Sequence, residues 1–351
     1  MSASFLRPRP PLFAGAALLL LTSAFAASCG QQGIVAATSG TTETDTGGSG
    51  GTGGTGGTAT TGGTGGADTS KPLKVLCWNL HNFFNTTKDS GFTEEQVLTK
   101  TEYDNKLAAV GAVLKQMDPD FAVLPEVENL AILDDLNAKQ LAGAYTTAIT
   151  ETNDFRGLDI GILSKPAIDT LTSHKDDSFK RLDLAGSPSY KYSRDAVEVH
   201  ITHNGREVVL IGVHYRSKGN GMVETDDKDK RAAEAQHTRA IADALIAEDP
   251  KRAVLILGDF NDIPGSPAVS WTILGNPANN PQDPFITASD SVPQADRYTF
   301  VYNGVQELID HQIANPLLGG MLDTKAAVIL HGKSVEDASD HHPLMATYHI
   351  Q

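Results

Sequence analysis

Two cysteines, Cys29 and Cys77, are all that the 351 residues contain. If Cys29 is consumed by processing, no intramolecular disulfide is possible even in an oxidising compartment, and the fold must rest on its core. No Cys/His cluster argues for structural zinc. The apolar stretch from Leu12 to Ala27 is too short to span a bilayer comfortably. Positive charge is scarce as well: from Lys71 onward 26 basic residues face 40 acidic ones, and the whole chain carries a formal net charge of −15. That surface repels polyanions in general, so tight nonspecific binding to nucleic acid is not expected unless basic residues gather locally. No internal repeat is evident outside a Gly/Thr/Ser-rich stretch near the N-terminus.

What is present begins with an export signal. Arg7 and Arg9 precede the short apolar stretch, and small residues lead to Cys29. Ala26-Ala27-Ser28-Cys29 resembles the bacterial lipobox, in which the cysteine is acylated and becomes the mature N-terminus. Cleavage after Ala24-Phe25-Ala26 would instead release a soluble protein. From Gly30 to Ser70 almost no large apolar residue occurs, so the segment cannot bury enough surface to order itself. As a Gly-rich tether it reaches roughly 35 Å on average. The expected organisation is a signal over 1–28, a tether over 29–71 and one globular domain over 72–351. The expected location is the membrane surface facing the periplasm or cell exterior, or the medium if Cys29 is not lipidated. Nothing indicates a protein partner, and a monomer is expected.

Hydrophobic periodicity predicts a strand over Leu73 to Leu80, a helix over Glu102 to Met117 and a buried strand from Asp120 to Pro125. A helix over Asn129 to Leu141 and a strand over Leu158 to Ser164 follow. Ala196 to His203 and Glu207 to His214 read as a hairpin closed by Asn204-Gly205. Lys230 to Ala247 reads as a helix, and Arg252 to Gly258, Tyr298 to Tyr302, Leu308 to Ala314 and Leu344 to Ile350 as strands. Antiparallel hairpins mixed with crossover helices predict an α/β fold with two mixed sheets packed face to face and helices outside, a four-layer sandwich.

The run Gly258-Asp259-Phe260-Asn261-Asp262 ends an apolar strand with a carboxylate and an amide two residues apart. The two share one side of the backbone. A carboxylate can take a proton from water, and an amide can donate to a phosphate oxygen without adding a second repelling anion. The same run would also serve as a polar turn closing a buried strand. Other strands end in Asn79, Glu126, His214, Asp310 and the Asp340-His341 pair, and catalytic groups gather where strand ends meet loops. An imidazole beside a carboxylate can act near neutral pH as acid, base or cation.

Taken in order, WNLHNFF (78–84), LPEVEN (124–129), the His214 strand, GDFND (258–262), LIDH (308–311) and SDHHP (339–343) resemble the endonuclease/exonuclease/phosphatase superfamily, also called DNase I-like. The resemblance covers essentially all of 72–351. It implies Glu126 as main Mg²⁺ ligand, with Asn79 nearby on metal or phosphate and Asp340 completing the metal environment. It implies Asp259 orienting or deprotonating the attacking water, Asn261 holding the phosphate, and Asp310 orienting His341 for transition-state stabilisation or leaving-group protonation. His214 would donate to a nonbridging oxygen, and no covalent intermediate is implied. Hard oxygen ligands agree with Mg²⁺, or Mn²⁺ or Ca²⁺ in its place.

Two departures stand out. Pro125 occupies the place where glutamine usually precedes the metal glutamate, and 153–159 replaces a region that often supplies a phosphate-contacting tyrosine. Arg156 can take that contact as a bidentate donor. With Arg216 and Lys218 it would form a narrow cationic track for nucleic acid, and Arg194 is a further basic residue expected near substrate. The expected activity is metal-dependent phosphodiester hydrolysis, with an extracytoplasmic nuclease first. Phosphatase or phospholipase-type action on lipid, inositol or nucleotide phosphates is the alternative, and an inactive surface ligand-binding module is the alternative of another class.

Overall fold

A computed structural model describes residues 71–219, 224–279 and 284–351. The signal, Cys29 and the tether up to Ser70 lie outside the described residues. In chain order the first elements are β1 (Leu73–Cys77), α1 (Lys100–Met117), β2 (Phe121–Val127), α2 (Leu130–Gln140), β3 (Thr146–Thr150), β4 (Asp159–Ser164) and β5 (Ile168–Ser173). Next come β6 (Phe179–Lys180), β7 (Ser189–Tyr190), β8 (Ala196–His203), β9 (Arg206–His214), α3 (Glu224–Glu248), β10 (Ala253–Asp259) and α4 (Pro267–Leu274). The last are β11 (Ile286–Thr287), β12 (Phe300–Tyr302), β13 (Val305–Glu307), β14 (Asp310–Ala314), α5 (Pro316–Gly319), β15 (Val328–Ile329), α6 (Lys333–Glu336) and β16 (Leu344–Tyr348).

One sheet has the order β15-β16-β1-β2-β4-β3 and the other β11-β14-β10-β9-β8-β5. Both are mixed: β1 runs parallel to β2 and antiparallel to β16, and β10 runs parallel to β9 and antiparallel to β14. Strand alternation sorts the core into layers. Val75, Cys77, Phe121 and Val123 point inward, where they meet Val199, Leu210 and Leu255 of the other sheet. Leu76, Ala122 and Leu124 point outward, under Leu107, Val110 and Leu114 of α1 and Leu133 of α2. On the far side Val209, Ile211 and Ile256 pack beneath Ala235 and Ala242 of α3. The four-layer sandwich expected from the sequence is the fold observed.

Local chemistry sets the boundaries. Thr99 and Glu102 form a reciprocal capping box that starts α1, and Asp118, at φ 47°, ends it. Asn204 and Gly205, both with positive φ, make the tight turn between β8 and β9. Tyr298 to Tyr302 departs from expectation. Only Phe300–Tyr302 is extended, and it pairs with β13 in a separate hairpin outside both large sheets.

Gly258 has a φ of +135°, and a Cβ there would lie 2.1 Å from the Val213 carbonyl oxygen of β9. That atom is backbone in a central strand pair and cannot swing away. Gly258→Ala is therefore expected to cost about 3 kcal/mol or more, from steric overlap and backbone strain together, read as a lowered urea midpoint. An unchanged midpoint would show that β9 and β10 can separate locally.

Candidate active site

The register of three strands builds half the site. Asp259 at the end of β10 lies opposite His214 on β9 and opposite Asp310 on β14. The other sheet supplies the facing half. Past β1, the Trp78 and Leu80 amides donate to the Val123 and Pro125 carbonyls at 3.0 and 2.9 Å, carrying Asn79 alongside Glu126. Glu126 sits at the β-bulge between Pro125 and Val127 with a φ of 67°, so its side chain leaves the strand's regular alternation. The Trp78 indole donates to the His341 carbonyl at 2.8 Å, and the Ser339 hydroxyl to the Asn79 carbonyl at 2.8 Å, which ties the last loop to the first strand.

Hydrogen bonds join the two halves, among them Asn79 Nδ2 donating to Asp259 Oδ2 at 2.9 Å. Asp259 Oδ1 accepts from the Asn261 amide at 2.7 Å. His214 Nε2 lies 3.6 Å and His341 Nε2 4.0 Å from Asp259 Oδ2. Burial, then the neighbouring Asp310 charge, push the Asp259 carboxyl up to about 7. On the other face of His341, Nδ1 lies 2.8 Å from Asp310 Oδ2. Burial opposes charge on this imidazole, but Asp310, Asp259 and Asp340 outweigh it and push it up to about 10. At neutral pH His341 is an imidazolium with Nδ1–H committed to Asp310, so Nε2–H is the proton it presents to the cleft.

Glu126 is prepared differently. Its Oε2 accepts from the Asn82 amide at 2.9 Å, and Oε1 receives Arg156 Nη2 at 3.2 Å. Burial works against its charge; a protonated His214 would lower the carboxyl most, and with His214 neutral the Arg156 guanidinium, the Asn82 amide and Arg194 still favour the anion. Burial, together with Arg194 and Arg156, pushes His214 well below its ordinary range. The structure therefore pairs an anionic Glu126 with a neutral His214, whose Nε2 lies 3.8 Å from Glu126 Oε1.

The structure brings Asn79, Glu126, His214, Asp259, Asn261, Asp310 and His341 together at these strand ends. Asp340 stands at the rim, with its Oδ1 3.3 Å from His81 Nδ1 and its side chain 42% exposed. Arg156 is at the site but not as an open fork. Nε and Nη2 hold Asp154 at 3.0 and 2.8 Å, Nη1 holds Asn82 at 2.9 Å, and Nη2 reaches Glu126. One of its five N–H groups is left over. Asn261 likewise spends its side-chain amide on the Tyr215 carbonyl at 3.1 Å and on Asp259 at 3.3 Å, so holding a phosphate requires exchanging one of these. Arg216 pairs with Asp227 at 2.6 Å and Lys218 with Glu307 at 2.5 Å. The cationic track expected from Arg156, Arg216 and Lys218 is thus corrected: each member has a carboxylate partner that cancels its field. Arg194, expected near substrate, is buried against Asp154.

Two site residues escaped the sequence reading. Asp154, 2% exposed, clamps both Arg156 and Arg194, and its position two residues before Arg156 was the available signal. Lys106 rises from the middle of α1 to donate to the Ala338 and His81 carbonyls at 2.6 and 3.2 Å. Burial pushes it down to about 8, with Asp340 and Glu126 pulling the other way. No pattern on the polar side of α1 distinguishes it from a solvated lysine.

The model of the Endonuclease/Exonuclease/phosphatase family matches residues 74–334. The chain belongs to that family. The human nocturnin catalytic domain, solved with a bound sulfate anion, is similar at 14% identity and a TM-score of 0.54, over 79% of this chain and 94% of that one. A family protein from Bacteroides vulgatus is similar at 14% identity and a TM-score of 0.51, over 80% of this chain and all of its own. One from Leptotrichia buccalis gives 14% identity and a TM-score of 0.50, over 79% and 100%. No curated protein matches the sequence. These likenesses agree on the fold, and the family membership makes the chain a metal-dependent phosphoric-ester hydrolase. The residues present fit a hard divalent cation, because Glu126 stays anionic and is a carboxylate oxygen donor, with Asp340 a second carboxylate at the rim. Among the described residues the buried Oδ1 of Asp310 has no hydrogen-bond partner.

Proposed function

We propose that the domain hydrolyses phosphodiester bonds by direct attack of water, and that nucleic acid outside the cytoplasm is its substrate. The observation that carries the chemistry is the buried Asp310–His341 pair at 2.8 Å, with Asp259 on the opposite side of the imidazolium at 4.0 Å. Asp259 takes the proton from water as the new phosphorus–oxygen bond forms. His341 gives its Nε2 proton to the leaving oxygen as the old bond breaks, and one proton returns from Asp259 to close the cycle. Neutral His214 and Asn79 donate to the nonbridging oxygens, adding no anion to the one that develops. A divalent cation held by Glu126, with Asn79 and Asp340 beside it, would neutralise that developing charge; Mg²⁺ suits these oxygens, with Mn²⁺ its nearest substitute. A binding module has no need for a carboxyl poised near 7 beside a charged imidazole.

The choice of nucleic acid is supported by the β12–β13 hairpin. Phe300 lies 4.9 Å from His341 between ring centroids and stacks with Tyr302 at 6.4 Å and 12°, while Tyr302 is 62% exposed. Such a flat aromatic pair beside the reacting phosphate is a platform for a base. Tyr302→Ala is expected to raise KM for single-stranded DNA by about 5- to 100-fold with kcat nearly unchanged. The cancelled cations Arg156, Arg216 and Lys218 favour a second reading, a small phosphodiester held at one phosphate. We propose export through the 1–28 signal, with Cys29 lipidated and the 29–71 tether holding the domain off the membrane.

The test is hydrolysis of supercoiled plasmid, RNA, bis-p-nitrophenyl phosphate and a phosphomonoester, with Mg²⁺ or with EDTA. Metal-dependent nicking of plasmid supports the nuclease. Turnover of the small diester without nucleic acid cleavage selects the second reading, and silence on all four sinks both.

A further inference from the structure

Beyond the reaction centre, the segment between β1 and α1 gathers a second set of acids. Asp89, Glu95 and Glu128 bring ligand oxygens within 4.8 Å of one another. Glu95 and Glu128 are 7% and 4% exposed. Among the described residues, none of the three has a basic side chain within 4.0 Å. Three mutually close carboxylates without a cation repel one another, more so out of water. Local donors answer only part of this. The Asn85 amide donates to Glu128 Oε2 at 2.7 Å, the Asp89 amide to Glu95 Oε1 at 2.7 Å, and the Ser90 hydroxyl to Glu95 Oε2 at 2.8 Å. Among the described residues the remaining Glu128 oxygen, Oε1, is buried and accepts from no donor, and burial with the Asp89 and Glu95 charges pushes this carboxyl up to about 7. A buried carboxylate oxygen without a donor, on a residue grouped with two other carboxylates, is a position that a cation would satisfy.

We propose that Asp89, Glu95 and Glu128 form a Ca²⁺ site, separate from the reaction centre, that holds the 82–98 segment in place. The donors are all oxygen and come mainly from an irregular loop, which suits the variable coordination of Ca²⁺ better than the strict octahedron of Mg²⁺. The site has a consequence for Glu126, two residues from Glu128 on β2. The same segment supplies the Asn82 amide to Glu126, and Asn85 bonds to Glu128 three residues later. It also packs on the loop that carries Arg156: a Cβ at Gly157 would lie 2.9 Å from Phe92 Cδ2 and 3.0 Å from Ser90 Oγ. An ion at the three acids fixes both neighbours of Glu126 at once.

The experiment uses the full exported chain, stripped with chelator and titrated with CaCl₂ by calorimetry. Glu126→Gln removes the reaction centre's main expected ligand, and Glu95→Gln removes the proposed one. Binding with a Kd of about 10⁻⁵ to 10⁻³ M is expected in wild type and Glu126→Gln, and its loss in Glu95→Gln. At ten times Kd, Ca²⁺ is expected to raise Tm by about 3–5 °C. It should also slow tryptic cleavage at the exposed Lys88. Asp89→Asn, a change at an exposed position, repeats the test if Glu95→Gln fails to fold. Absence of Ca²⁺ binding in Glu126→Gln, or equal binding in wild type and both loop variants, overturns the proposal.

Discussion

Asp259→Asn is expected to lower kcat by about 10²- to 10⁴-fold while leaving the protein folded, and at alkaline pH more stable than wild type. The loss follows from chemistry, since an amide cannot accept a proton from water and Asp259 is the carboxylate within reach of Asn79, His214 and His341. The stability gain follows from linkage. A folded carboxyl at about 7 against an unfolded one near 3.8 contributes stability that is fully present below the unfolded value and lost as pH rises through about 7. Asparagine never ionises, so it escapes that loss. Two profiles check this: urea midpoints of the two proteins should part between about pH 4 and 7, and the rise of kcat/KM through about 7 should vanish in the variant. A variant retaining wild-type turnover would remove Asp259 from the chemistry.

Asp310→Asn is expected to cost a further large factor by a different route, about 10²- to 10⁴-fold at neutral pH. His341 owes its high basicity to Asp310 before any other charge, so its titration should fall from about 10 toward the ordinary imidazole range. The sign differs from the first case in meaning though not in direction: a raised histidine adds stability that is whole below about 6.5 and disappears as pH climbs through about 10. The variant forfeits that contribution, and its rate should decline from near neutrality instead of from about 10. The His341 ring resonance, followed by NMR titration, reports the same shift directly. Lost activity with His341 still titrating near 10 would show that Asp310 acts through something other than the imidazole's proton.

Much of this arrangement is legible in the sequence because strands declare their ends. An apolar run that stops at Gly258 or His214 marks both the strand and the residue it delivers, and Asn204-Gly205 marks its turn by the backbone it demands. The edge strands β3 and β5 went unread for the opposite reason: Thr146–Thr150 and Ile168–Ser173 are threonine-rich, and β5 has no buried residue to impose an alternation. The first turns of α3 are polar throughout, so its start at Glu224 lies ahead of the apolar pattern beginning near Lys230. Charge pairing is the least legible layer. Arg216 finds Asp227 eleven residues away and Lys218 finds Glu307 far along the chain, and only the folded path brings each acid to its base.

The rung His214–Asp259–Asp310 runs straight across three paired strands, and this makes the centre's geometry a matter of parity. Side chains on β9, β10 and β14 change face at every step, so inserting or deleting one residue within any of them turns its member of the rung from the cleft to the opposite side. Changes of two residues preserve facing but shift height by a rung. Lengthening or shortening a loop between these strands leaves the rung as it is, so the walls around the centre can be rebuilt without re-spacing its reacting groups.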